Sequence, residues 1–241
     1  MRTGVIGIGD MGSGLAKNLM ANGFVVTGHD LKPDRLSAFG KAGGKVAANA
    51  AEVGANSDAV FIMVMNGDEA KSVIFDHDGL LSTMTKGGTI LMSATIKPRE
   101  AREIADMLGG SGIHMIDTPV SGGFPGAQSG TLTMMAAAPD ELLDQLAPVM
   151  NAVSANIHRV GTRPGEGQTV NACLQSLIGA QFSALLKPQH WRQRRAFRGR
   201  FCLMSSLRRP LDAASSTTRW KRSSTGNLKV PAAISTRCTK T

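Results

Sequence analysis

The sequence predicts an α/β fold, a doubly wound parallel sheet with helices on both faces. Two observations carry this. Short runs of consecutive apolar residues alternate with helix-spaced segments from the first residues onward, and the runs are unbroken as in strands buried on both sides. A glycine pattern, Gly7, Gly9 and Gly12, falls between the first strand and the first helix. A third observation limits the prediction. Residues 187–241 hold 14 Lys and Arg against one acid, Asp212, whereas residues 1–186 hold 13 Lys and Arg against 17 Asp and Glu. The composition therefore breaks near Leu186, and the net charge of +9 is not a property of the folded part.

The elements follow in order. "TGVIGI" (3–8) reads as a strand, and "MGSGLAKNLMANG" as a helix with Met11, Leu15 and Leu19 on one face and Gly23 closing it. "FVVTGHD" is a second strand ending at Asp30. "DAVFIMVM" (58–65) and "GTILMSAT" (88–95) are buried strands. Pro98 opens a helix over 98–109, and "GIHMID" (112–117) is a further strand. Glycines at 43–44, 87–88 and 109–112 fall in the intervening loops. No internal repeat is present.

Between a strand and a helix, the G-x-G-x-x-G pattern has a physical meaning. One glycine makes the tight turn, one lets backbone N–H groups approach a pyrophosphate, and one packs helix on strand, with the helix N-terminus facing the anion. Gly7, Ile8, Gly9, Asp10, Met11 and Gly12 are thus candidate dinucleotide-binding residues. Asp30 lies 18 residues beyond Gly12, where an acid can accept from the adenosine ribose hydroxyls. A carboxylate there repels a 2′-phosphate, and no arginine directly follows it, which favours NAD over NADP. The alternative is that Asp30 merely caps the turn before "KPDRLSAF".

Other classes are disfavoured. No apolar run reaches the roughly 18 residues of a spanning helix, so no membrane partner is expected. The start "MRTGVIGIGD" enters a strand without signal-peptide features, which makes the cytoplasm the expected location. Cys173, Cys202 and Cys238 show neither metal-site spacing nor a disulfide framework.

"GIGDMGSGLAKNL", "DTPVSGGFPGAQSGTLTMM" and "GEGQTV" together resemble the β-hydroxyacid dehydrogenases, the group of 3-hydroxyisobutyrate dehydrogenase and tartronate semialdehyde reductase, related to 6-phosphogluconate dehydrogenase. The resemblance covers roughly residues 3–185. It implies a Rossmann-type NAD(P)-binding domain over 1–164, then the start of an interdomain helix over 165–186, and hydride transfer between nicotinamide and a small 3-hydroxy acid or semialdehyde. Ser121, Gly122 and Gly123 would take the substrate carboxylate, unless the stretch is only a glycine-rich turn. Thr95 would lie near the nicotinamide, unless it is simply a strand-end residue, and Met65 with Asn66 stands where the family often has Leu-Pro. The family's catalytic helix carries G-x-G-x-x-x-K-x-x-N, and Gly165, Gly167, Asn171 and Leu174 occupy those slots here. Asn171 replaces the lysine that acts as general acid/base, and Leu174 replaces the substrate-binding asparagine. An amide does not titrate usefully, and losing such a group costs ~10²–10⁴-fold in rate. Gln168 and Gln175, one turn away, do not titrate either.

The basic segment 187–241 is open to two readings. It is either a disordered arm that binds nucleic acid nonspecifically or the product of a frameshift. Joining the third base of each codon to the first two of the next permits E-A-x-A-L-A across 186–192, M-E-A-V-V-D-G-E across 219–227 and D-A-L-H-K-D across 235–241. All three are in keeping with an all-α domain, which favours the frameshift. On that reading the interdomain helix ends early, near 186. Leu174, Leu177, Ile178 and Phe182 are then left partly exposed, and the family's homo-oligomer is lost.

Overall fold

The computed structural model describes the backbone of residues 1–194 and the side chains of residues 1–184. The chain divides into two units, Met1–Gly179 and Ala180–Thr241. The first unit is the sheet with its helices. Strands β1 (Arg2–Ile6), β2 (Val25–His29), β3 (Lys45–Val46), β4 (Ala59–Ile62), β5 (Thr89–Met92) and β6 (His114–Asp117) are mutually parallel in the order β3-β2-β1-β4-β5-β6. The order reverses between β1 and β4, and such a switch point opens a crevice at the carboxyl ends of the strands.

Three further strands extend the sheet beyond what local periodicity marks. These are β7 (Val120–Ser121), β8 (Leu132–Ala137) and β9 (Ser154–Gly161). β8 runs antiparallel to both β6 and β7, and β9 pairs parallel with β8.

Helices α1 (Asp10–Ala21), α2 (Pro33–Lys41), α3 (Ala50–Ala55), α4 (Gly67–Phe75), α5 (Pro98–Leu108), α6 (Gly123–Ser129) and α7 (Asp140–Asn151) alternate with the strands, and α8 (Glu166–Arg194) follows β9. Two caps come from asparagine. The Asn49 and Asn66 carboxamide oxygens accept from the Glu52 and Glu69 N–H groups at 2.9 and 2.8 Å, opening α3 and α4.

Successive strand residues supply opposite faces. Val5, Phe61, Leu91 and Ile116 join Leu15 and Leu19 of α1 and Leu143 and Leu146 of α7. Ile6, Val60, Ile62, Ile90 and Met92 join Val53 of α3, Ile74 of α4 and Ile104 of α5. Each such side chain removed from water contributes about 1.5–3 kcal/mol before ordering costs.

Two boundaries differ from expectation. The strands are shorter than their apolar runs. Gly7 turns away at φ +87° after β1, and the Ser93 and Ala94 N–H groups both donate to the Ile62 carbonyl, which ends the β4–β5 ladder at Met92. Helix α8 continues to Arg194, past the break near Leu186. Charge balance does not end a helix; Leu, Gln and Arg propagate one as well as most residues, and the helix passes Pro188 at the loss of one backbone donor. The expectations about residues 195–241, frameshift or basic arm, lie outside the described residues.

Candidate functional site

The glycine loop lies at the ends of β1 and β4. A Cβ on Gly7 would lie 2.2 Å from the Met63 carbonyl oxygen, and the φ of +87° independently requires glycine. A Cβ on Gly12 would lie 1.9 Å from the Gly7 carbonyl oxygen, so this glycine lets α1 dock on the loop. Gly9 is the N-cap of α1, and among the described residues no side chain caps the amides that follow it. These amides, at the positive end of a 12-residue helix, are the groups a pyrophosphate requires. Asp10 and Met11 form the first turn of α1, and the Gln128 amide donates to the Asp10 carbonyl at 3.2 Å.

Asp30, at the end of β2, is buried. Its Oδ2 accepts from the Ile8 N–H and its Oδ1 from the Lys32 N–H, both at 2.8 Å. The carboxylate therefore fixes the glycine loop and starts α2, and Arg35 of α2 pairs with it at 3.2 Å. Sequence reasoning looked for an arginine immediately after Asp30 and so missed one that a turn of helix brings back. Met65 projects into solvent, and its N–H is taken by Glu69 at 3.0 Å.

The start of α8 is anchored on the ends of β5 and β6. The Asp117 Oδ2 accepts from the Gly165 N–H at 2.7 Å and the Gln168 N–H at 3.2 Å. Burial pushes the Asp117 carboxyl above the usual carboxylate range, against those amide hydrogen bonds, and its Oδ1 has no partner among the described residues. Gln168 is also buried. It accepts from the Ile96 N–H at 3.2 Å and donates to the Ala94 carbonyl at 3.0 Å, bracketing Thr95. The sequence marks Gln168 only as a residue that cannot replace the lysine, and its contacts across to another element leave no local signal, so the clamp was missed.

The clamp brings Asn171 to Thr95. The Asn171 Nδ2 donates to the Thr95 Oγ1 at 3.4 Å, and the Gln175 Nε2 to the Asn171 Oδ1 at 3.5 Å. Asn171 is only 1% exposed, and neither partner titrates. Leu174 is half-buried, whereas Leu177 and Phe182 are 57% and 61% exposed on the same helix.

Ser121 ends β7, and the backbone turns at Gly122 and Gly123 with φ of +124° and +59°, which requires glycine. No hydrogen bond joins these three residues to Thr95 or Asn171 among the described residues. Among the same residues no cluster of metal ligands occurs, and no helix is long and apolar enough to cross a membrane.

Comparison with known proteins agrees with this geometry. The family model of the NAD binding domain of 6-phosphogluconate dehydrogenase matches residues 2–161. The chain is similar to the L-threonate dehydrogenase of Escherichia coli K12, at 36% identity over 182 residues, covering 75% of this chain and 60% of the relative. It is similar to the mitochondrial 3-hydroxyisobutyrate dehydrogenase of Mus musculus, at 33% identity, covering 73% of this chain and 52% of the relative. Among solved structures, a 3-hydroxyisobutyrate dehydrogenase from Salmonella typhimurium superposes with a TM-score of 0.75 at 33% identity, covering 80% of this chain and 68% of that one. The chain thus spans about 60% of the length of the first curated relatives it matches.

Proposed function

We propose that this chain, which belongs to the family of the 6-phosphogluconate dehydrogenase NAD-binding domain, is an NAD(P)-dependent oxidoreductase of the 3-hydroxyacid type whose proton-transfer step is crippled. Gly7, Ile8, Gly9, Asp10, Met11 and Gly12 would hold the dinucleotide, with Asp30 on the ribose side and Met65 and Thr95 flanking the loop. The open amides after Gly9 and the close fit at Gly7 and Gly12 support this. The nicotinamide would supply the hydride acceptor or donor. Ser121, Gly122 and Gly123 would bind the carboxylate of a small hydroxy acid or semialdehyde. The relatives whose names print L-threonate and 3-hydroxyisobutyrate support that substrate class.

The observation that carries the reading is Asn171. It sits buried beside Thr95 with neutral partners, so it can orient an oxygen but cannot take or give the hydroxyl proton. Leu174, one turn further, offers no second polar contact. A second reading, a dinucleotide-binding remnant without turnover, rests on the same residues. Oxidation of L-threonate, 3-hydroxyisobutyrate and glycerate is to be followed by nicotinamide absorbance in the wild type, Asn171→Lys and Asn171→Lys/Leu174→Asn. The expected result is a gain of ~10²-fold or more in kcat on restoring the lysine. Wild-type turnover equal to that of the variants would refute the crippled step. Measurable cofactor binding with no turnover in any variant would establish the remnant.

The finer setting belongs to the same proposal. The exposed, unpaired Cys173 supports a reducing, cytoplasmic location. Loss of the family's homo-oligomer belongs to the frameshift reading, and on that reading the exposed Leu177 and Phe182 would favour nonspecific association. Any nucleic-acid binding would be nonspecific, through the charge of 187–241.

A further inference from the structure

We propose that the Asn66–Gly67 pair, where the loop after β4 enters α4, is a site of spontaneous self-modification. The Gly67 nitrogen closes on the Asn66 carboxamide, ammonia leaves, and the aspartate or isoaspartate that remains releases the loop at Met65. The inference is independent of the dinucleotide reading above.

The chain holds two Asn-Gly pairs, Asn22-Gly23 and Asn66-Gly67. In both, the glycine offers no side chain to hinder ring closure onto the residue before it, and in both the asparagine is exposed. Local sequence treats the pairs alike, and the fold does not. Asn22 caps the end of α1 with a ψ of 15°, which turns the Gly23 nitrogen away from the Asn22 side chain. The Gly23 N–H donates to the Met20 carbonyl at 3.0 Å. The Asn22 carboxamide donates to the Asn18 carbonyl at 2.9 Å and to the Ala152 carbonyl at 3.4 Å. Nucleophile and electrophile are both held there. Asn66 instead has extended backbone, with a ψ of 174°, which sets the Gly67 nitrogen gauche to the Asn66 Cβ. The Gly67 N–H, at the first position of α4, has no acceptor among the described residues. Gly67 is buried, but the carboxamide it attacks belongs to its exposed neighbour.

The surroundings of the Asn66 carboxamide favour the reaction. Its Oδ1 accepts from the Glu69 N–H at 2.8 Å, a donor aimed at the oxygen that gains negative charge when Cγ is attacked. The attacking nitrogen lies at the positive end of a helix, where loss of its proton costs less. The step balances without an oxidant. The N–Cγ bond forms, solvent base takes the Gly67 proton, the Cγ–Nδ2 bond breaks, and ammonia leaves with a proton from water. Water then opens the cyclic imide at either carbonyl. Breaking the new N–Cγ bond gives aspartate. Breaking the original peptide bond gives isoaspartate, with the main chain running through Cβ and Cγ.

The product acts on the loop through Glu69. The Asn66 Nδ2 donates to the Glu69 Oε1 at 3.1 Å, and the Glu69 Oε2 accepts from the Met65 N–H at 3.0 Å. An aspartate at 66 still caps α4, but it meets Glu69 with like charge at this distance, so Glu69 turns out and the Met65 N–H loses its acceptor. Isoaspartate displaces the cap as well, because its extra backbone methylene moves the carboxylate off the Glu69 N–H.

The test is incubation of the full chain in mildly alkaline buffer, with and without urea, followed by digestion and mass-spectrometric mapping of both Asn-Gly peptides. In the folded chain Asn66 should convert ~10-fold or more faster than Asn22, which must first release three hydrogen bonds. In urea the two rates should fall within about threefold of each other, since the fold no longer separates them. Gly67→Ala should slow conversion at 66 and leave 22 unchanged. Asn66→Ser, which keeps a cap without an amide, should abolish it. Amide hydrogen exchange should show Met65 less protected in Asn66→Asp than in Asn66→Ser. Equal rates at the two sites in the folded chain, faster conversion at Asn22, or no conversion at either would each overturn the site. Unchanged protection of Met65 in Asn66→Asp would overturn the release of the loop.

Discussion

A pair of identical substitutions on one helix should have opposite effects. Gly167 lies in the first turn of α8, and a Cβ there would stand 2.5 Å from the Met135 carbonyl oxygen, 2.8 Å from the Asp117 carbonyl oxygen and 3.0 Å from the Pro119 Cδ. Two of these neighbours are backbone, so the helix must retreat by about 0.5–1 Å to restore ordinary contact. That movement stretches the 3.2 Å bonds from the Gln168 N–H to Asp117 and from the Ile96 N–H to Gln168. Overpacking costs about 1–3 kcal/mol, each weakened hydrogen bond about 0.5–1.5 kcal/mol, and the better helix propensity of alanine returns at most about 1 kcal/mol. Gly167→Ala should therefore destabilise the first unit by about 1–5 kcal/mol, lowering Tm by about 2–4 °C per kcal/mol. Gly179, further along α8, has nothing within 4 Å of its missing Cβ. Gly179→Ala should strengthen the helix there by up to about 1 kcal/mol. Urea unfolding reads the first effect, and amide hydrogen exchange along α8 reads both. A Gly167→Ala protein as stable as wild type, or equal losses at the two sites, would refute the docking of α8 through Gly167.

The remaining predictions concern the same anchor. Gln168→Leu keeps the volume but strands the buried Ile96 N–H and Ala94 carbonyl, at about 1–3 kcal/mol for each group left unpaired; chemical denaturation should show this loss, and an unchanged midpoint would contradict the clamp. Asp117 binds its proton more readily folded than unfolded, because burial raises its pKa. The stability it contributes is therefore fully present below its ordinary value and is lost as pH rises through the raised one. Asp117→Asn should gain stability relative to wild type as pH increases from about 4 to about 7, and a constant difference across that range would count against the shift.

What the sequence reveals about this fold depends on how local the determinant is. The first strand, glycine loop and first helix form one contiguous stretch whose turn needs φ > 0 at Gly7, so composition and spacing suffice there. The buried strands reveal themselves because both faces are covered and no alternation interrupts them. β7, β8 and β9 do not. β9 is mostly exposed, and its partner β8 is fixed by tertiary packing rather than by a turn. Helix α8 also runs past the change in charge balance near Leu186, which carries no signal for helix termination.

The site divides in the same way. The roles proposed for Asn171 and Leu174 rest on spacing along one helix, which the chain itself displays. What surrounds them is not. Gln168 matters because its amide spans two backbone groups on another element, and Arg35 because α2 points it back over Gly9. Neither contact leaves a periodicity, and both residue types have ordinary surface or helical roles elsewhere.

If position 171 is the catalytic slot proposed above, the burial of Asn171 bears on how it could change without unfolding the protein. A lysine at this position would place an ammonium where the side chain is 1% exposed, beside a hydroxyl and an amide rather than a carboxylate. Desolvation opposes the charged form there, which is what lowers a catalytic lysine's pKa and also what makes it costly to fold around. An amide meets the same surroundings with two weak hydrogen bonds and no charge. Activity and stability should therefore move in opposite directions at this residue. If Asn171→Lys restores turnover, its Tm should fall, and NAD(P) binding, which stabilises the folded state by mass action, should recover part of the loss. A lysine variant that is both faster and more stable would mean that the slot was not relieved by the asparagine, and that the change at 171 has a cause outside the energetics of this site.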